Sequence, residues 1–483
     1  MLNRLKSLLA PRNKTANSSK PNKQIIPHSK HGISEKRISR AALKTMRGLQ
    51  DAGYEAYLVG GGVRDLLLDG QPKDFDVATD ATPEQVRKVF RNARIIGRRF
   101  QIVHVRFGRE IIEVTTFRGN HEDTVNRDNS QQQKGHTKAR ALSSDKGILL
   151  RDNVYGDLES DAIRRDFTIN ALYYDCSTQE IIDFTGGISD LNNRRLSIIG
   201  DPKARYREDP VRMLRAVRFA SKLGFQMEQA TEANIHVHSD YLAEIPAARL
   251  FEEVLKLFMS GSAVSCLHML QEFSLLEHLF PGLSICLKKD KPFDLKFVDS
   301  ATGNTDKRVR QGKSVTPAFI YASFLWPPLQ AAMRQILHDK KTSLNEAFYQ
   351  SAQGVVSQQL SVTSIPKRFL IPMREIWQLQ YRLDKRTGKR AEATLENPRF
   401  RAAYDFLLLR EQAGEDTGGL GNWWTRYQHA SVEDREQMVK DLGPDKKPRR
   451  RRKRKPAKKP GTEQTDIKPT SSDGSSNGNN DVH

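Results

Sequence analysis

Leu58-Val59-Gly60-Gly61-Gly62-Val63-Arg64-Asp65, continued by Asp74-Phe75-Asp76, is the stretch on which the reading of this chain turns. Tyr54 to Val59 has the composition of a strand and runs straight into three glycines. Val63 to Leu68 follows as a short helix, Asp69-Gly70 turns the chain, and Lys73 to Thr79 reads as the next strand. Glycines ahead of a helix let backbone N–H groups approach a phosphate, and the helix N-terminus adds positive potential. Arg64 is placed to pair with a phosphate oxygen. Residues i and i+2 of a strand share a face, so Asp74 and Asp76 are expected side by side with Phe75 behind them. Two hard oxygen donors suit Mg²⁺, and two ions about 4 Å apart stabilise both oxygens of an in-line phosphoryl displacement. Glu113, on a later strand, is a candidate third carboxylate. Alone, the carboxylate pair is more often a solvated turn, and so are three glycines. Their order and spacing carry the signal. No GxxxxGK[ST] is present, which disfavours a P-loop NTPase.

Outward from this stretch the pattern continues. Ile38, Ala42, Met46 and Leu49 make an apolar stripe at helical spacing ahead of it. Thr82-Pro83-Glu84-Gln85 is a helix start with a capping box, and Ile102 to Phe107 with Ile111 to Phe117 reads as a hairpin around Gly108. His121 to Gly147 is polar and long enough to be a mobile insertion. Beyond residue 195 helices dominate: Met213, Val217, Ala220 and Leu223, then Leu250, Val254, Leu257 and Phe258, later Ile376, Leu379 and Leu383. The expected fold class is α+β. A disordered basic leader (1–34) precedes a catalytic head with a mixed sheet (35–195). A helical neck (196–265), a helical Arg-rich body (266–440) and a disordered basic tail (441–483) follow.

The balance of 79 Lys and Arg against 58 Asp and Glu gives a formal charge of +21, which calls for a polyanionic partner. Eleven of the basic residues fall between Lys446 and Lys459, leaving about +10 for the rest. Such a block contacts phosphates without reading sequence, though it also resembles a nuclear-import signal or a solubilising tail. Three cysteines at wide spacing argue against a disulfide framework and a cysteine zinc site, and fit a reducing cytoplasm. No stretch approaches the roughly 20 apolar residues of a membrane span. The segment Met1 to Ser34 holds no acid, so it superficially resembles a transit peptide, and peripheral contact with a membrane surface is left open.

The glycine and carboxylate run resembles the catalytic signature of the polymerase-beta-like nucleotidyltransferases, and more closely the bacterial class of poly(A) polymerases and tRNA CCA-adding enzymes. Three later segments are similar to that class in the same order. Asp161-Ala162-Ile163-Arg164-Arg165-Asp166 matches the ribose and triphosphate segment. Gly186-Gly187 with Asp190-Leu191 matches the link from head to neck, and Glu208-Asp209-Pro210-Val211-Arg212-Met213-Leu214-Arg215 the base-selecting motif. The resemblance spans roughly residues 35 to 430. It implies ATP as substrate, with the triphosphate near Gly61, Gly62, Arg64 and Arg165 and two Mg²⁺ on Asp74 and Asp76. Asp166 is the family's third acidic position, acting on the ribose and the geometry of the site, with Glu113 competing for the ligand role.

On one continuous helix Asp209 and Arg212 are i and i+3, while Glu208, Arg212 and Arg215 lie near one face, which is also the pattern of an ordinary ion-pair ladder. As a base reader, Asp209 accepts from an exocyclic amino group and Arg212 donates to the adjacent ring nitrogen. Adenine and cytosine present that pair; guanine and uracil reverse it and leave buried groups unpaired, at about 1–3 kcal/mol each. This face does not separate ATP from CTP. Ile95 to Val105, with Arg98-Arg99-Phe100, resembles the signature of the poly(A) branch, and Pro366-Lys367-Arg368, Trp377 to Gln380 and Pro398 to Asp405 resemble the Arg-rich C-terminal region of the poly(A) enzymes. The expected activity is template-independent addition of AMP to RNA 3′ ends, serving RNA processing and decay, by a monomeric cytoplasmic bacterial enzyme whose partners include many RNAs and RNA-decay proteins. The alternatives are a tRNA CCA-adding enzyme and a noncatalytic RNA-binding protein on a transferase scaffold.

Overall fold

Eight strands drawn from between Gln24 and Asp183 assemble one mixed sheet, with largely apolar, buried strands at its centre. The computed structural model describes residues 23–97, 101–119, 155–289, 291–339 and 342–443. The strands are β1 (Gln24–Ile26), β2 (Ala56–Val59), β3 (Asp76–Thr79), β4 (Ala93–Ile96), β5 (Ile102–Phe107), β6 (Glu110–Thr116), β7 (Leu172–Asp175) and β8 (Glu180–Asp183). Their order across the sheet is β1-β8-β7-β2-β3-β6-β5-β4, with β3 and β6 parallel and the other pairs antiparallel.

One face packs on helices of the head. These are α2 (Arg40–Asp51), after the single turn α1 (His28–His31), then α3 (Gly61–Leu67) and α4 (Pro83–Val89). Met46 and Leu49 of α2 join Val77, Val103, Val105, Ile112 and Val114 in the main core. α4 starts at the capping box read from its sequence, with Thr82 and Gln85 exchanging side-chain and backbone bonds. The other face is covered over its centre by α5 (Leu158–Ile163), which packs Leu158 and Ala162 on Val59, Ala78, Tyr173 and Ile182.

Two expectations shift. The first 34 residues are not all outside the fold: Ile25 pairs with Ile182 at the sheet edge, and Ile33 is buried. The pair Ile25-Ile26 satisfies the β8 edge despite its polar flanks. The strand expected from Lys73 begins at Asp76, because β2 leaves the sheet at Gly60 and nothing remains for Lys73 to Phe75 to pair with. The insertion His121–Gly147, the run Arg98-Arg99-Phe100, most of the leader and the basic tail lie outside the described residues.

After α6 (Gly187–Asn192) the described chain is almost wholly helical. α7 (Pro202–Glu208) and α8 (Val211–Leu223) stand against the head, followed by α9 (Gln229–His238), α10 (Ala247–Phe258) and further helices ending with α22 (Val432–Lys440). The apolar stripe of α8 (Met213, Val217, Ala220) and that of α10 (Leu250, Val254, Leu257, Phe258) are buried, as are Ile376, Leu379 and Leu383 farther on. A second core surrounds Trp424, whose indole N–H donates to the Leu383 carbonyl at 2.9 Å. None of the described helices is long and apolar enough to cross a membrane.

Candidate active site

Strand register sets up the site. Val59 faces Tyr173 on one side and Asp76 on the other; Asp76 faces Glu113, Glu113 faces His104, and His104 faces Arg94. Cross-strand partners share a face, so these six residues form one row perpendicular to the strands. α5 covers the Tyr173 end. At Asp76 the cover stops and a cleft of about 980 Å³ opens between the sheet, the glycine turn and α8. Every residue proposed from the sequence lines it: Asp74, Asp76, Glu113, Gly61, Gly62, Arg64, Asp161, Arg164, Arg165, Asp166, Glu208, Asp209, Arg212 and Arg215.

The carboxylates divide into two groups. Asp76 is pushed up to about 6 by burial first and then by Glu113 and Asp74, with Arg165 opposing. Like charges meet here with only Arg165, itself bonded to Asp161, to offset them, an electrostatic setting that would accept a further cation. Among the described residues no three Asp, Glu, His or Cys side chains are drawn together tightly enough to hold a metal ion unaided. Mg²⁺ takes one or two carboxylates plus water and phosphate oxygens, so Asp74 and Asp76 beside Glu113 fit it.

Asp166 and Asp161 belong to the second group and are saturated by cations. Asp166 accepts from Arg212 Nε at 2.7 Å and from Arg215 Nη1. Burial alone would raise its carboxyl, but Arg215 and Arg212 outweigh it and hold Asp166 well below the carboxylate range. Asp161 is 4% exposed and accepts from Tyr173 Oη (2.7 Å), Arg165 Nη2 (2.9 Å) and the Arg118 N–H (3.2 Å). It orders Arg165, whose guanidinium comes within contact distance of where a side chain on Gly60 would stand. Gly60 has φ +74°, which a side chain would strain, so the turn that brings β2 into α3 requires glycine.

Arg64 lines the cleft and is already held by neighbouring side chains. It is 3% exposed; Asp65 Oδ1 takes its Nε (2.9 Å) and Nη2 (2.6 Å), Asn170 Oδ1 its Nη1 (2.6 Å), and it lies 5.2 Å from the Phe219 ring centre. Its guanidinium frames the glycine turn.

The segment Glu208 to Arg215 is also built differently from one continuous helix. α7 ends at Glu208, Asp209 is extended (φ −145°, ψ 94°), and α8 begins after Pro210, because the residue before a proline is driven out of the helical region. The i, i+3 pairing of Asp209 with Arg212 is replaced: Asp209 Oδ2 accepts from Arg249 Nη2 of α10 at 2.7 Å. Arg212 donates to Glu208 Oε2 (2.6 Å) as well as Asp166. Arg205, which carries no mark in the sequence pattern, bonds the carbonyls of Arg164 (2.5 Å) and Arg165 (2.7 Å) and so ties neck to head.

Gly186-Gly187 serves the same junction from the head side. Buried Asp183 accepts from the N–H groups of Thr185, Gly186 and Ile188 at 2.9, 2.9 and 3.0 Å, while Asp190 takes the Thr168 hydroxyl (2.6 Å) and Arg195. Further cleft residues lie beyond the motifs. Arg218 and Lys222 continue the α8 face of Arg212 and Arg215 at three- and four-residue steps, a periodicity visible in the sequence. Burial lowers the Lys222 ammonium, Asp65 opposes, and Arg64, Arg218 and Lys73 lower it further, so this end of the cleft is strongly cationic. Lys73, Arg249 and Lys256 also line the cleft and carried no local signal.

The chain resembles known proteins along most of its length. Residues 56–197 match the poly A polymerase head domain, 224–286 the probable RNA and SrmB-binding site of polymerase A, and 340–458 the polymerase A arginine-rich C-terminus. Poly(A) polymerase I of Escherichia coli O6:H1 is 45% identical over 451 residues, 92% of this chain and 95% of that protein. Poly(A) polymerase I of Haemophilus influenzae is 41% identical over 450 residues, 92% and 97% of the two chains. A CCA-adding enzyme of Lactobacillus helveticus is 39% identical over 216 residues, 45% of this chain and 49% of that protein. Among solved structures, the Bacillus stearothermophilus CCA-adding enzyme in complex with CTP superposes with a TM-score of 0.55 at 24% identity, covering 83% of this chain and 82% of that one, a likeness of fold. Matched by domains from head to C-terminus and by relatives along nearly its whole length, the chain belongs to the bacterial poly(A) polymerase family.

Proposed function

We propose that this protein adds AMP from ATP to RNA 3′ ends without a template and releases pyrophosphate. The observation that carries the reading is the in-register meeting of Asp76 and Glu113 at the floor of a cleft whose opposite wall is the arginine face of α8. Asp74 and Asp76 would hold two Mg²⁺ ions, with Glu113 the nearest further carboxylate. When bound, Mg²⁺ neutralises the reacting phosphate and favours ionisation of the RNA 3′-hydroxyl.

The remaining work falls to the chain itself. The glycine turn and Arg165 bind the triphosphate, and the cationic end at Lys73, Arg218 and Lys222 suits the departing pyrophosphate. Asp166 fixes Arg212, and Arg249 fixes Asp209, so that one donor and one acceptor are oriented before a base arrives. Such preorganisation lowers the entropic cost of aligning the reacting atoms. Asp166 therefore acts as a positioning residue, and Glu113 is the third acid of the reacting centre. The cationic surfaces suit RNA of many sequences, with RNA-decay proteins as further partners and the cytoplasm as the site of action.

The test is extension of a labelled, unstructured RNA lacking CC at its end, with Mg²⁺ and each NTP separately. A long ladder with ATP alone supports the reading. Addition that needs CTP, stops after a few nucleotides and works only on tRNA would replace it with CCA addition, and no addition with any NTP would leave a binding protein.

A further inference from the structure

Past Asp76 the row continues through Glu113 to His104 and Arg94, away from the arginine wall of α8. On these outer strands α4 and the core take the face of Ala93, Val103, Val105, Ile112 and Val114. Among the described residues no helix covers the opposite face. Ile96 is 42% exposed and Ile111 47% exposed, and Arg94 and Arg106 are exposed beside them. Arg106 faces Ile111, and Glu113 is the one carboxylate among the strand residues of this face. Isolated apolar residues on a surface need no explanation, but here they alternate with arginines on a sheet face continuous with the reacting centre. His104 Nε2 is shut off from solvent with no hydrogen-bond partner among the described residues, 3.5 Å from Glu113 Oε1.

We propose that the open face of β4, β5 and β6 is the track of the RNA primer's single-stranded 3′ end. Arg94 and Arg106 hold its phosphates, and Ile96 and Ile111 lie under its bases. The strand runs over His104 to place its terminal hydroxyl at Glu113 and Asp76. The distance suits this: three inter-strand steps from Asp76 to Arg94 span about 14 Å. Charge chooses the occupant, since an exposed face with two arginines and one acid favours a polyanion over an acidic or neutral protein segment. Direction agrees as well. The nucleotide's base and triphosphate are drawn to the cationic wall on one side of Asp76, so the incoming hydroxyl must come from the other. Single-stranded RNA is held in this manner elsewhere, by backbone charge with sequence-tolerant contact to the bases.

The inference rests on the AMP-transfer reading, and its test separates the two. Full-length Arg94→Glu, Arg106→Glu and the double variant are compared with Arg334→Glu, an exposed arginine on the helical half, using an unstructured oligoribonucleotide and ATP. The double variant is expected to raise KM for RNA at least tenfold with KM for ATP unchanged. Its log–log salt dependence should be shallower by about 0.7 for each phosphate no longer neutralised. Arg334→Glu should do neither. An unchanged KM for RNA and salt slope in a folded double variant, or an equal effect from Arg334→Glu, would overturn the track while leaving wild-type extension intact. As a second readout, 4-thiouridine two nucleotides from the 3′ end should crosslink to β4–β6. Crosslinks confined to the helical half would place the RNA elsewhere and overturn the proposal. Failure of the wild type to extend RNA with ATP would instead remove the reading on which it stands.

Discussion

Replacing Asp76 with Asn should make the metal-free head more stable while removing activity. The carboxyl is raised from 3.8 to about 6, by burial and by Glu113 and Asp74. At about 1.4 kcal/mol for each pH unit this sets a ceiling of about 3 kcal/mol, and the partial solvent access of the cleft reduces it to about 1–3 kcal/mol. The sign follows from proton linkage. With its pKa raised in the folded state, Asp76 binds more protons there than in the unfolded chain between pH 3.8 and 6. The penalty is therefore complete above about pH 6 and is relieved as pH falls; at about pH 5 roughly half remains. Asn is neutral throughout, so its advantage at about pH 8 should shrink by roughly half at about pH 5. All four tryptophans lie between 326 and 424, outside the head, so their fluorescence would not follow it. Hydrogen exchange of the β2 and β3 amides in EDTA is the suitable assay. Millimolar Mg²⁺ should protect the wild type and not the variant, because only a ligand that binds the native state stabilises it. A variant no more stable than wild type at alkaline pH, or an advantage independent of pH, would refute the account of Asp76 as a site of stored charge repulsion.

Asp166→Asn should leave Arg212 and Arg215 buried against a neutral group, at about 3–5 kcal/mol in the junction of head and neck. A fall in kcat/KM for ATP with RNA binding retained would report it in steady-state kinetics and filter binding. Asp209→Ala should relax discrimination of ATP against GTP by roughly five- to 150-fold, corresponding to about 1–3 kcal/mol, measured by competing nucleotides on one primer. Gly187→Ala should destabilise by about 2 kcal/mol or more, because its Cβ would run into the Thr168 carbonyl group; thermal denaturation checks this.

Local signals in the sequence located the glycine turn, the carboxylate pair, the capping box at Thr82 and the amphipathic faces of α8 and α10, since each is a pattern of neighbours in the chain. The helix break at Asp209 was also written there, in the proline that follows, but the ion-pair spacing favoured a continuous helix instead. β1 escaped because two isoleucines among polar residues carry too little periodicity, and only the free edge of β8 gives them a role. Arg249 and Arg205 had no local mark at all. Their parts are set by the packing of α10 on α8 and of α7 on the head, which bring together residues about 40 positions apart.

The different states of Asp76 and Asp166 follow from where each stands on the scaffold. Asp166 meets α8 and finds two guanidinium groups, so its charge is settled when head and neck fold together, and it transmits their alignment to Arg212. Asp76 stands on a strand whose neighbour brings a second carboxylate, and Arg165, the cation acting on it, is itself committed to Asp161 and Tyr173. Moving one more arginine to Asp76 would satisfy the fold and fill the place proposed above for a divalent cation. The arginines are instead held one layer away, Arg212 and Arg215 sharing Asp166 and Arg165 tied to Asp161. Charge left unbalanced at Asp76 beside charge balanced at Asp166 is what the proposed phosphoryl transfer would draw on: a floor able to take a cation, next to arginines already held in place by Asp166.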